Sequence, residues 1–144
     1  LTPGEKNTTN NKATLEGSNV TSFVLGTDGK WETNPVTGGW SFVLNGGLPL
    51  NSSWAKIQIP DKNGNLISRW YFFDAKSTMV TGWMQDPSTG NWYYMNTVKG
   101  ELEGQMVLGW VLDTNTNLWY YMDENNGVMK EVGITIRRTE DGII

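Results

Sequence analysis

The stretch that decides the fold is GWMQDPSTGNWYYMNTVKGELEGQM, residues 82–106, and a second version of it, GWVLDTNTNLWYYMDENNGVM, follows at residues 109–129. In both copies, nine positions separate the tryptophan of a Gly-Trp pair from the tryptophan of a Trp-Tyr-Tyr-Met sequence. Repetition with a period of about 20–50 residues is typical of an array in which each unit buries its apolar face on its neighbour. The sequence therefore predicts a repeat protein.

Two less regular copies precede this pair. Nine positions also separate Trp31 from Trp40, although Ser41 stands where the later copies have a tyrosine. The copy that begins at Trp54 reaches Trp70 only after sixteen positions, because its turn carries an insertion. Terminal repeats are usually atypical. We predict a linker or disordered leader at 1–12, an N-terminal cap at 13–30, a repeat array at 31–133 with units 31–53, 54–81, 82–108 and 109–133, and a C-terminal cap at 134–144.

The pattern inside one unit is typical of a β-hairpin followed by a looser return segment. Side chains alternate across a strand, so Trp92 and Tyr94 face one way while Tyr93 and Met95 face the other. An isolated hairpin is only marginally stable in water. Aromatic residues on both faces therefore indicate that neighbouring hairpins sandwich each one along an axis. The expected fold class is all-β, a β-hairpin repeat solenoid with atypical terminal units.

Composition argues against several classes of function. The 144 residues include 11 Lys and Arg against 15 Asp and Glu, a net charge of −4 without a basic cluster, so we expect no nucleic-acid partner. The absence of His and Cys removes the commonest general base, the Ser and Cys triads, disulfides and thiolate metal sites. We therefore expect no enzyme activity, no cofactor and no metal. No apolar run approaches the roughly 18 residues of a membrane span, so we expect no membrane insertion.

Acidic residues give only weak alternatives to this interpretation. Asp113, Asn115 and Asn117 have the spacing of the first half of a calcium loop but lack its glycine and distal glutamate. We interpret them as turn residues, and a bound cation there stays open. Glu101 and Glu103 are interpreted as surface charges rather than as a catalytic carboxylate pair.

The eight tryptophans suggest binding sites. Tryptophan is a costly core residue, because its N–H group needs a partner. Stacked hairpins would leave a groove at each junction, walled by two tryptophans of one unit and an aromatic residue of the next, with a methionine as the floor. Such a box of π faces suits a quaternary ammonium ion, which carries no N–H donor. The simpler alternative is that the aromatic residues only form a core.

The repeated frame resembles the choline-binding, or cell-wall-binding, repeat of Gram-positive surface proteins. The resemblance is close over residues 82–133 and looser over 31–81. Its residues are Gly82-Trp83, Trp92-Tyr93-Tyr94, Met106, Gly109-Trp110, Trp119-Tyr120-Tyr121 and Gly127-Val128-Met129. The resemblance implies a left-handed β-solenoid in a protein secreted to the bacterial cell wall or surface, held non-covalently on choline-bearing teichoic acids.

The resemblance also implies which residues bind the ligand. One expected cage contains Trp83, Trp92 and Tyr120, with Met106 nearby. A second contains Trp54, Trp70 and Tyr93, with Met79. A third begins with Trp110 and Trp119 and lacks an aromatic partner from a following unit. Ser41, in the place of a tyrosine, counts against a further site at Trp31 and Trp40.

Two other functions stay open at this point. Similar repeats occur in glucan-binding and toxin receptor-binding regions, so the chain could be a carbohydrate-binding module for a glucan or host glycan. It could also be a structural spacer or assembly domain whose aromatic residues are only core. The partner would then be another cell-surface polysaccharide or a second copy in a homodimer.

Overall fold

The computed structural model describes residues 22–130 and, beyond them, the backbone of two short strands. The strands are β1 (Ser22–Val24), β2 (Gly29–Thr33), β3 (Trp40–Leu44), β4 (Ser53–Pro60), β5 (Leu66–Phe73), β6 (Gly82–Gln85), β7 (Trp92–Met95), β8 (Gly109–Asp113), β9 (Leu118–Met122), β10 (Arg138–Thr139) and β11 (Gly142–Ile143). The leader predicted at 1–12 lies outside the described residues, as do residues 13–21 and most of the cap predicted at 134–144. In the part that the structure describes, no helix is long and apolar enough to cross a membrane.

Four antiparallel hairpins make up the described array: β2–β3, β4–β5, β6–β7 and β8–β9. Each predicted unit contains most of one hairpin, and the unit boundaries themselves stay a prediction. Every hairpin places the first tryptophan of its unit opposite an aromatic residue of the second strand, and the pairs are Trp31 with Phe42, Trp54 with Phe72, Trp83 with Tyr94 and Trp110 with Tyr121. The predicted all-β class of hairpin repeats is confirmed.

Aspartate side chains stabilise the short turns by accepting hydrogen bonds from backbone N–H groups. The Oδ1 atom of Asp86 accepts a hydrogen bond from the Ser88 backbone N at 2.7 Å. In the next unit, Oδ1 of Asp113 accepts one from the Asn115 backbone N at 2.9 Å. These bonds mimic a backbone turn, as expected of Asp in this position. Asp113, Asn115 and Asn117, which have the spacing of a calcium loop, thus form the turn of a hairpin.

Each hairpin is followed by a return segment that ties its unit to the preceding one. The Met106 backbone N, in the third unit, donates to the Trp70 carbonyl of the second unit at 2.9 Å. The equivalent bonds run from Met79 to Trp40 at 2.7 Å and from Met129 to Trp92 at 2.8 Å. Successive units therefore stack in one register, set by their backbones.

The insertion in the second unit lengthens its hairpin rather than adding a separate loop. Strands β4 and β5 have eight residues each, against four each in β6 and β7. Strand β1 pairs in parallel with β4 and completes a three-stranded sheet in the order β1-β4-β5. Its Phe23 is buried in a cluster with Phe42, Ile57 and Tyr71. The N-terminal strand is thus built into the core of the first two units.

Candidate ligand-binding junctions between the repeat units

Three junctions share one aromatic arrangement, in which the first tryptophan of a unit packs edge-on against the tyrosine of the next unit. Ring centroids lie 5.1 Å apart for Trp31 and Tyr71, 4.6 Å for Trp54 and Tyr93, and 4.8 Å for Trp83 and Tyr120. T-shaped pairs at these distances are a favourable geometry for aromatic rings. The expected contact between aromatic residues of successive units is therefore present at each junction.

The second junction is more deeply buried than the others, although Trp70 is partly exposed. Trp54 and Tyr93 are completely buried, and the Trp70 ring meets the edge of Trp54 with centroids 6.4 Å apart. The indole N–H of Trp54 donates to Oδ2 of Asp86 at 2.9 Å, and Asp86 is itself buried. The structure thus brings the predicted cage residues Trp54, Trp70 and Tyr93 together, with Trp54 and Tyr93 buried and Trp70 partly exposed. An open cage at this junction stays a prediction, since only Trp70 of these three rings keeps exposed surface.

The third junction keeps aromatic surface open. Trp83 is half-buried, and its indole N–H donates to Oδ2 of Asp113 at a longer 3.2 Å. Trp92, on the second strand of the same hairpin, leaves 39% of its surface exposed. Tyr120 of the following unit is also only partly buried. Trp83 contacts Tyr120 as predicted, and Trp92 offers a free ring nearby.

The methionines belong to different junctions from those to which the sequence assigned them. Met106 packs in the cluster of Trp54, Tyr93 and Trp70, whereas it was expected beside Trp83. Met79 packs with Trp31 and Tyr71 rather than with Trp54. The reason is that each return segment folds back onto the preceding unit, through the hydrogen bonds from methionine N–H groups described above. By the same rule, Met129 accompanies Trp92.

Two glycines make room for these methionines. A Cβ atom at Gly104 would collide with the Met79 side chain, and one at Gly127 would collide with that of Met106. Both glycines also have positive φ angles, +82° and +80°, which residues with a side chain rarely adopt. Each return loop therefore passes directly over the methionine of the preceding unit.

The first junction opens into the groove that sequence reasoning had set aside. Its volume is about 720 Å³, and its aromatic end is formed by Trp31 and Trp40 of the first unit with Tyr71 and Met79 of the second. Trp40 is 44% exposed, whereas Tyr71 and Met79 are buried behind it. Exposed aromatic surface therefore lies in a groove at this junction.

The groove forms even though Ser41 stands where the later units have a tyrosine. The tyrosine of the groove, Tyr71, comes from the next unit and not from the position of Ser41. The Ser41 hydroxyl instead donates to the Ser77 carbonyl at 2.6 Å. The nine-position spacing between Trp31 and Trp40, which recurs in the third and fourth units, was the feature of the sequence that pointed to this junction.

Polar groups line the groove beyond the rings. Arg69 donates from Nη1 to the Glu101 carbonyl at 3.2 Å, and Glu103 pairs with Lys99 at 3.4 Å. Burial raises the pKa of the Tyr71 phenol above its ordinary value of 10.0, and the neighbouring Arg69 guanidinium partly opposes this shift. The phenol is therefore neutral at physiological pH, and the lining carries more carboxylates than cations.

The last described junction is incomplete. Trp110 is 49% exposed and meets Trp119 edge-on with centroids 6.4 Å apart. Tyr121 packs on Trp110 at 5.0 Å from within the same hairpin. Residues 122–144 contain no Phe, Trp or Tyr, so this sequence supplies no aromatic partner from a following unit, as expected. Among the residues that the structure describes, there is also no group of three or more acidic residues placed to hold a metal ion.

One protein-family model matches part of this chain. Residues 63–102 match the model of the family described as Choline-binding repeat. The resemblance to choline-binding repeats is confirmed. The matched segment runs from the turn of the long hairpin through β7 to the loop that carries Glu101, and so it contains the whole of the second return segment.

Two solved structures are similar in fold to this chain. The modular Cpl-1 endolysin, crystallised with a peptidoglycan analogue, is 30% identical over 82% of this chain and 31% of its own, with a TM-score of 0.52. CbpJ from Streptococcus pneumoniae TIGR4 is 20% identical over 91% of this chain and 44% of its own, with a TM-score of 0.52. This chain thus spans less than a third of the endolysin and less than half of CbpJ. No curated protein matches it.

Proposed function

We propose that this chain is a non-catalytic cell-wall-binding module that recognises choline on teichoic acids through aromatic cages between its repeats. The observation that carries the proposal is the groove at the first junction, where Trp31 and Trp40 stand open beside Tyr71 and Met79. The match to the choline-binding repeat supports it, since that match includes part of the groove wall.

The physical basis is the attraction between a trimethylammonium group and electron-rich ring faces. A quaternary ammonium ion donates no hydrogen bond, so it needs ring faces and methyl contacts rather than a buried carboxylate. Trp40 offers an exposed ring, and Met79 supplies a polarisable floor. Asp61, Glu101 and Glu103 also line the groove and favour a cation over an anion there.

The array would bind through several weak sites. Each cation–π contact contributes about 0.5–2 kcal/mol, so one cage gives an affinity near the millimolar range, worth about −4 kcal/mol. The third junction, with Trp83, Trp92 and Tyr120, and the exposed pair Trp110 and Trp119 would add further sites. A polymer with many choline groups would then be held by avidity. Such binding would hold the protein on the surface of a Gram-positive bacterium, on teichoic acid or another wall polysaccharide.

Titration with choline tests the proposal, with tryptophan fluorescence and calorimetry as readouts. Wild-type protein should show saturable binding, and Trp40→Ala should lose the contribution of the first junction while remaining folded, because its side chain is largely exposed. Val36→Ala, at a side chain that is 84% exposed outside the groove, is the control. Absence of any response up to high millimolar choline would defeat the proposal.

Carbohydrate binding is the alternative function that the lining of the groove also supports. Its carboxylates could accept hydrogen bonds from sugar hydroxyls while Trp40 stacks on a ring face. Glucan oligosaccharides that displace choline, or that bind where choline does not, would favour this second function. The buried rings of Trp54 and Tyr93 are what the spacer hypothesis requires, whereas the exposed rings of Trp40, Trp92 and Trp110 count against it.

A further inference from the structure

The long β4–β5 hairpin extends the groove away from the aromatic end. Alternation along β5 puts Ile67, Arg69 and Tyr71 on one face, and all three line the groove. Ile59 is the cross-strand partner of Ile67 and lines it as well. At about 3.4 Å per residue, the four steps from Tyr71 to Ile67 span about 14 Å. The wall therefore runs well past the reach of a trimethylammonium group held at the rings.

This wall is apolar and open to solvent. Ile67 is 42% exposed, and Ile59 and Leu25 are partly buried beside it. The guanidinium of Arg69 is drawn to the Glu101 carbonyl, so the methylene stem of this side chain also lies along the wall. A groove of about 720 Å³ that continues onto such a surface offers an apolar ligand segment a place to leave water.

The charge around the wall restricts what can lie there. Asp61, Glu101 and Glu103 line the groove against one cation, Arg69. Lys99 offsets part of this charge through its contact with Glu103, at 3.4 Å. The remaining negative potential favours a cationic amphiphile and opposes an anionic one.

We propose that the first junction has a second subsite, formed by Leu25, Ile59 and Ile67, which binds an apolar substituent carried by a quaternary ammonium ligand. The ligand class is an amphiphilic cation whose head group lies against Trp31 and Trp40 while its alkyl part follows the β4–β5 wall. This inference rests on the proposed function, because the head group uses the same aromatic end.

A series of alkyltrimethylammonium ions tests the subsite, measured by calorimetry below the micelle concentration of each compound. Full burial of one methylene raises affinity about four-fold, so half-burial along an open wall should give about two-fold per added methylene. Hexyltrimethylammonium should then bind at least about ten-fold more tightly than tetramethylammonium. Hexyl sulfate should not bind, because its charge is opposed by the lining.

Two substitutions at neighbouring positions distinguish binding at the β4–β5 wall from non-specific binding to exposed apolar side chains. Ile67→Asn should reduce the advantage of the hexyl compound by at least about three-fold and leave tetramethylammonium affinity unchanged. Leu66→Asn is the matched control, because Leu66 is similarly exposed on the opposite face of the same strand and should change neither affinity.

Each outcome decides one question. Tetramethylammonium binding without any gain from longer chains would overturn the second subsite and leave the proposed function standing. Equal effects of the two substitutions, or binding of hexyl sulfate, would also overturn the subsite. Failure of every ammonium ion to bind would overturn the subsite and the proposed function together.

Discussion

Replacing Asp86 by asparagine tests the buried hydrogen bond at the second junction. The carboxylate is 1% exposed and uses both oxygens: Oδ2 accepts from the Trp54 indole N–H at 2.9 Å, and Oδ1 accepts from the Ser88 backbone N at 2.7 Å. Asparagine keeps the shape but offers only one oxygen, so one of these N–H groups must face an NH₂ group. A buried donor without an acceptor costs about 1–3 kcal/mol. We expect Asp86→Asn to lower the free energy of unfolding by about 2 kcal/mol.

Asp113→Asn is the matched comparison, because Asp113 makes the same two contacts one unit later. Its bond to the Trp83 indole is longer, at 3.2 Å, and both residues are partly exposed. Water can replace a lost partner at an exposed site, so we expect this substitution to cost less than about 1 kcal/mol.

Chemical unfolding of the two variants, followed by tryptophan fluorescence and far-ultraviolet circular dichroism, gives the two free energies on a common scale. Choline affinity at the first junction should be unaffected in both, since neither aspartate lines that groove. Equal destabilisation by the two substitutions, or an unchanged stability for Asp86→Asn, would show that the buried indole bond does not stabilise the junction.

Three further predictions concern backbone strain and the groove. Gly104→Ala should destabilise the protein by more than the roughly 1 kcal/mol expected for Gly90→Ala in a denaturant titration, because both glycines have positive φ but only the first new Cβ would displace Met79. The two substitutions should cost the same if the close approach to the methionine is unimportant. Ser77 adopts a φ of 65°, where its counterpart in the next unit is glycine, so Ser77→Gly should raise the thermal midpoint through a gain of about 0.5–1 kcal/mol; a loss would contradict this. The raised pKa of Tyr71 means that stability from its neutral phenol is present below about pH 10 and is lost as pH rises through the folded-state pKa. Unfolding titrations at alkaline pH should show that this loss is smaller in Tyr71→Phe, and identical pH profiles would refute the assignment.

Much of the architecture could be predicted from local pattern. The repeated spacing between tryptophans gave the number of hairpins, and the polar turns gave their closed ends. The contact of Trp83 with Tyr120 followed from stacking alone. These predictions succeeded because strand alternation and turn chemistry depend on neighbouring residues, which the sequence displays directly.

The candidate site was predicted less well. Met79 and Met106 were each assigned to the junction that follows their actual one, because the direction in which a return segment folds is not visible in residue spacing. A site at Trp31 and Trp40 was doubted on account of Ser41, whose hydroxyl donates to the Ser77 carbonyl. The acceptors for the indole groups, Asp86 and Asp113, were seen only as turn residues.

The sequence by itself determined that this chain is an array of aromatic β-hairpins, since the same short-range pattern recurs four times. Only the tertiary structure decided which aromatic rings are exposed. At the second junction the turn of the following unit reaches Trp54 and seals it with Asp86. At the first junction the following unit carries the long β4–β5 hairpin instead, and its face forms the wall of a groove. The same ring pair is therefore core in one place and a candidate binding surface in another, because solvent access depends on how long the next hairpin is and where it lies.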